Sequence, residues 1–196
     1  MKATEEGSSE ALWSATEALL KLRLAHAMSA HSASVTRFLK GEVTQLQPGD
    51  EALGEEIAKA ESVWRTQLQE SEVTLGLKRL RQTLVESDLE LQLVALLSRV
   101  EGSVTWARAL AHIQLDYTEP KASAEGLKAI FGPELGALIE ADSTLVQRGL
   151  LLREGTYLRL HPELHAWLLD GVPRDAAALD TCRLSAPSRR HPIAGA

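Results

Sequence analysis

The sequence predicts a mainly α protein with one β-hairpin near the end of its ordered part. Three observations carry that expectation. The 196 residues include 34 Leu, against 8 aromatic residues and 13 Gly, and Leu and Ala lose little freedom in a helix. Apolar residues recur at offsets of three and four over most of the chain, which is the helical period. The one convincing β signal is local: Leu150-Leu151-Leu152-Arg153 and Thr156-Tyr157-Leu158-Arg159-Leu160 flank a two-residue Glu154-Gly155 turn.

The first periodic segment runs from about Ser8 to Leu39. Leu12, Ala15, Leu19 and Leu22 form one stripe, with Trp13, Leu20, Leu24 and Ala27 beside it, and Gln47-Pro48-Gly49-Asp50 ends the segment. A second helix is read from Glu51 to about Ser71 on Leu53, Ile57, Ala60, Trp64 and Leu68. Val73, Leu77, Leu80 and Leu84 continue it, so 51–86 is one long or once-broken amphipathic helix. Each stripe has to be covered, so the two helical segments are expected to pack together, within the chain or between two copies.

From Ser87 the texture changes. Ser87-Asp88-Leu89-Glu90 has the spacing of a capping box and opens a helix carrying Leu89, Leu93, Leu96, Leu97 and Val100, which Gly102 stops. Ser103 is read as the cap of the next helix, which carries Val104, Ala107, Leu110 and Ala111. A turn at 116–120 follows, then a helix from Ser123 to Phe131. Gly132-Pro133 starts another through Leu135, Leu138 and Ile139. After the hairpin, Pro162 begins a last short helix that Asp170-Gly171 closes. Three helices, a hairpin and a closing helix in that order trace the outline of a winged helix, with the hairpin as its wing. The expected organisation is a helical N-terminal region at 1–86, a winged-helix domain at 87–171, and a flexible connector or tail at 172–196.

Composition sets the outer limits. With 44% hydrophobic and 24% charged residues, the chain suits one ordinary core with a helical extension and fits neither a disordered nor a disulfide-scaffold protein. The single Cys182 has no partner for an internal disulfide, no charged-then-apolar signal opens the chain, and the apolar runs fall far short of the ~20 residues that cross a bilayer. A cytoplasmic protein without membrane association is the expectation. The formal charge is −6. Residues 1–86 carry 10 Lys/Arg and 13 Asp/Glu, residues 87–170 carry 7 and 12, and residues 171–196 carry 4 and 2. Only the last segment is basic.

Several pieces together carry a family resemblance: the run Leu89 to Leu97 with Glu90 early in it, Phe131-Gly132-Pro133-Glu134, Asp142-Ser143-Thr144-Leu145-Val146-Gln147-Arg148-Gly149-Leu150-Leu151, and Leu158-Arg159-Leu160 ahead of a short helix ending Leu168-Leu169-Asp170-Gly171. Residues 87–171 resemble the variant winged-helix domain that precedes bacterial AAA-type ATPase modules. The resemblance implies a helical lead, a connector into a P-loop module, hexamers formed through that motor, and recognition of substrate or adaptor proteins. Components of contractile injection systems are among the partners it implies. The chain has no G-x-x-x-x-G-K-[ST] phosphate loop, so ATP and magnesium would belong to a motor outside it. An excised N-terminal piece of such an ATPase, or a relative without the motor, is expected.

Chemical candidates are few. His161 and His165 have i, i+4 spacing, but Pro162 stands where the zincin pattern needs Glu, and Cys182 alone cannot supply the second half of a zinc deaminase signature. No catalytic, cofactor-binding or metal-binding residue is assigned, and no cofactor is expected in this chain. Trp13 and Trp64, on the extended helices, are candidate partner contacts, since aromatic anchors are favoured at interfaces. The runner-up function is a winged-helix DNA-binding regulator, for which Lys121, Lys128, Arg148, Arg153 and Arg159 would be the contacts, although the net charge of −5 over 87–170 repels phosphates. A third reading is a helical scaffold that forms homo-oligomers through its N-terminal part. The leading expectation is a non-catalytic interaction or adaptor domain with protein partners rather than nucleic acid.

Overall fold

The structure is a computed structural model that describes residues 2–29, 50–70, 76–117 and 121–170. Its helices are α1 (Lys2–Ser29), α2 (Asp50–Glu70), α3 (Leu77–Thr83), α4 (Asp88–Gly102), α5 (Val104–Gln114), α6 (Ala124–Phe131), α7 (Gly136–Ile139), α8 (Thr144–Gln147) and α9 (Pro162–Asp170). A small antiparallel sheet of β1 (Ala122–Ser123), β2 (Leu151–Glu154) and β3 (Tyr157–Leu160) has the order β1-β3-β2. The mainly α expectation holds. The expected continuation of the first helix beyond Ser29, the link at 71–75, part of the 116–120 turn, and the tail with Cys182 lie outside the described residues.

The two N-terminal stripes cover each other within one chain. Leu12, Leu19, Leu20 and Leu24 of α1 and Leu53 and Trp64 of α2 are buried, with Ile57, Ala60 and Leu68 packed against them. One polar residue sits inside. Thr16 donates to the Leu12 carbonyl at 2.7 Å, the back-bond open to a helical threonine, and accepts the Trp64 indole N–H at 3.0 Å. No buried donor of this pair is left idle.

Helix α4 is the centre of the molecule. Its start is the expected capping box: Glu90 N–H donates to Ser87 Oγ at 3.1 Å and Ser87 N–H to Glu90 Oε2 at 3.0 Å, and the Glu86 N–H joins the same carboxylate. The periodicity predicts one apolar face, yet every residue from Glu90 to Ser98 is buried. The helix is surrounded by α1, α3, α5, β3 and α9, and a helix enclosed on all sides needs no polar face. Core side chains from α1, α2 and α3 are continuous with those of α6, β3 and α9, so a change of sequence texture at residue 86 is not a break in packing.

Local departures have local reasons. Ser103 is the N-cap of α5 in extended backbone, but its side chain caps nothing, and Val104 is 68% exposed while Ile113 is buried. The helix expected through Leu135, Leu138 and Ile139 is present as a tight 3-10 turn, Pro133–Leu135, that runs directly into α7, and a separate short helix, α8, follows with Ser143 as its N-cap, whose Oγ accepts the Val146 N–H at 3.3 Å. The hairpin turn shifts by one residue. Glu154 pairs with Tyr157, which leaves Gly155 and Thr156 as the loop, and Gly155 adopts φ +65 at the first loop position, where a tight hairpin turn calls for glycine. The hairpin is also not alone. Ala122 and Ser123 pair with Leu158 and Tyr157 as a third strand. Gln114 secures this strand at both ends, donating from Nε2 to the Lys121 carbonyl at 2.8 Å and accepting the Ser123 N–H on Oε1 at 2.6 Å.

Candidate functional site

The five basic side chains named above as nucleic-acid contacts are gathered around the sheet and the helices next to it, each already engaged. Arg148 reaches back across the fold: Nη1 donates to the Leu84 carbonyl at 2.8 Å and Nη2 to Glu86 Oε1 at 2.9 Å. Its job is to tie α8 to the chain ahead of α4. Arg159 and Lys121 converge on Glu154 at 2.9 and 3.8 Å, and the Lys121 ammonium also lies 5.8 Å from the centre of the Tyr157 ring. Lys128 pairs with Glu125 at 3.0 Å. Arg153, near the hairpin tip, makes a long 3.4 Å bond to the Gly155 carbonyl.

Lys128 and Arg153 border a cleft of about 490 Å³ between α6, α7 and the β1–β3 strands. That is within the ~300–1,000 Å³ typical of ligand clefts. Its walls are mixed in charge, with Asp116, Glu125 and Glu140 facing Lys128 and Arg153. The Tyr157 hydroxyl donates to Asp116 Oδ2 at 3.0 Å, linking the sheet to the end of α5. Sequence reasoning singled out the cations here and missed Asp116, Glu140 and Tyr157. The pairing of β1 with β3 and the placing of the α7 end beside it bring these residues together, and a two-residue strand leaves no periodic trace.

The two tryptophans have different environments. Trp64 is fully buried and hydrogen-bonded, so its indole is an internal anchor and offers no surface to a partner. Trp13 is half-buried against the core, with the Arg99 guanidinium 4.5 Å above its ring and Glu17 paired to that same arginine. Further along α1, burial pulls the Arg23 guanidinium below its ordinary value while Glu61, 3.7 Å away, and Glu134 work against that shift. His161 accepts the Glu163 N–H on Nδ1 at 3.3 Å, and His165 Nδ1 lies 3.9 Å from Glu101 Oε2. Among the described residues no group of three His, Cys, Asp or Glu side chains is arranged to hold a metal ion, and no helix is long and apolar enough to cross a membrane. Comparison with protein-family models, curated proteins and solved structures finds no match to this chain.

Proposed function

We propose that this chain is a non-catalytic interaction module built on a winged helix, which recognises partner or substrate proteins on behalf of an AAA-type ATPase motor. ATP and magnesium would be handled by that motor. The winged-helix reading is supported by strand order β1-β3-β2, with α6, α7 and α8 between the first two strands and the hairpin after them. The observation that carries the protein-binding reading is the internal use of the basic side chains. Arg148, Arg159, Lys121 and Lys128 are each paired with a carboxylate of the same chain. A duplex would have to displace Glu86, Glu125 and Glu154 before its phosphates could be neutralised, in a segment that is already net negative. Partner proteins from contractile injection systems remain the kind that the sequence resemblance implies. The homo-oligomeric scaffold loses its main motive, because the α1 and α2 stripes satisfy each other within one chain.

A photocrosslinking benzophenone amino acid in place of Glu125, Arg153 or Glu163, all exposed, tests this reading in the source cell. Protease-sensitive, nuclease-resistant adducts are expected. Adducts that nuclease removes from all three positions would move the assignment to the DNA-binding regulator. Anisotropy with a labelled duplex at about 150 mM salt should likewise show no submicromolar binding, since non-specific affinities lie at roughly 10⁻⁴–10⁻⁶ M.

A further inference from the structure

Helix α9 packs on α4 with Leu164, Trp167 and Leu168 buried, and one polar contact crosses the same seam. Glu101, at the end of α4, stands on the rim of a second cleft, of about 200 Å³, that opens toward β1 and β3. Its Oε1 accepts the Leu160 N–H of β3 at 2.6 Å. Its Oε2 faces His165 Nδ1 of α9 at 3.9 Å, too far for a hydrogen bond. That nitrogen is buried and has no hydrogen-bond partner among the described residues. The His165 side chain still keeps 19% of its surface in solvent, so a proton can reach the ring.

A neutral imidazole is poorly suited to close this gap. With its proton on Nε2 it turns a lone pair toward the carboxylate, and with its proton on Nδ1 it offers only a neutral donor. An imidazolium supplies both the donor and the opposite charge. We propose that His165 and Glu101 form a proton-operated clasp: proton uptake by the imidazole draws Nδ1–H onto Glu101 Oε2 and fastens α9 to α4, and loss of that proton releases the contact. Because the other Glu101 oxygen holds the Leu160 N–H, the closed clasp joins α4, β3 and α9. The neighbouring charges leave this pairing open. Arg159 on β3 and Glu154 on β2 are bound to each other at 2.9 Å. On α9, Glu163 is exposed, and its backbone N–H donates to His161 Nδ1 at 3.3 Å. Burial raises the Glu101 carboxyl above its usual value, the Leu160 N–H, His165 and Arg159 oppose that rise, and Glu154 adds to it. The clasp stands independently of the interaction-module reading; under that reading it sets how firmly the chain is anchored ahead of the connector.

The test is amide hydrogen exchange of the full chain, corrected for its intrinsic pH dependence. From about pH 8 to about pH 6, across the imidazole range, protection of the His165, Trp167 and Leu168 amides should rise about two- to fivefold relative to the Trp64 amide of α2, the range of a partly exposed ion pair. The rise should vanish in His165→Gln, which removes the titrating ring, and in Glu101→Gln, which keeps an acceptor for Leu160. It should persist in His161→Gln. A rise of native size in either of the first two variants, no rise in the native chain, or its loss in His161→Gln overturns the clasp. An NMR titration of the native chain needs no variant to fold: the Leu160 amide and the His165 ring should titrate with one midpoint, since both sense the same carboxylate. Separate midpoints overturn the clasp as well.

Discussion

The α1–α2 pair and the sheet region use the same residue types in opposite ways. In the helical pair, a tryptophan and a threonine are turned inward and bonded to each other, and the large apolar side chains cover one another. Around the sheet, arginines, lysines and carboxylates stay at the surface, bound to each other, and leave two clefts open. The first region is finished as a packing unit. The second keeps recesses with charged rims, and it is there that the proposed reading places recognition of a partner.

The largest effect that would sharpen this contrast is expected at Trp64. Trp64→Ala removes a fully buried side chain and leaves the Thr16 hydroxyl without its donor, a loss of about 3–5 kcal/mol. Because the core is continuous across residue 86, thermal melts followed at the α1–α2 pair and at the hairpin should fall together in one transition. A hairpin that melts independently at its original temperature would break the idea of a single packing unit. Next in size is Arg148→Ala, which removes charged hydrogen bonds to Leu84 and Glu86 and should cost about 1.5–3 kcal/mol in a denaturant titration. If Arg148 served nucleic acid instead, stability would hardly change.

Smaller effects separate local from tertiary causes. Ser87→Ala should lower stability by about 1 kcal/mol through loss of the α4 cap, and Gly155→Ala by about as much, because alanine does not adopt φ +65 without strain. Unchanged melting of either variant would remove its feature from the account. The smallest effect concerns pH. A carboxyl raised in the folded state contributes stability below its unfolded value, and that contribution is lost as pH rises through the folded value. Between the ordinary 4.5 and the raised value of Glu101, the native protein should lose stability relative to Glu101→Gln. Parallel pH profiles for the two proteins would contradict the partial desolvation of this carboxyl.

Much of the architecture was legible in the sequence because it depends on near neighbours. The Ser87-Glu90 box needs only four residues, the α2 stripe only its own spacing, and the hairpin only a glycine between two apolar runs. The failures have the same origin. The side-chain cap expected of Ser103 and the Glu154-Gly155 turn follow local pattern, and the structure keeps Ser103 as the N-cap without a side-chain bond and moves the turn to Gly155-Thr156. Of the candidate contacts, the basic residues were found by type, but their carboxylate partners lie 5, 33 and 62 positions away for Arg159, Lys121 and Arg148. Such pairings have no signature along the chain.

The sequence by itself determined the helical composition, the start of α4, the hairpin and the acidic balance, since these follow from propensity, capping and counting. Only the tertiary structure decided that α4 is enclosed from Glu90 to Ser98, that Trp64 is an internal anchor, that Ala122 and Ser123 form a strand, and that Glu101 stands at the rim of a cleft. Each of these depends on which distant surfaces meet, and burial removes water from a side chain regardless of how far along the chain its neighbours lie.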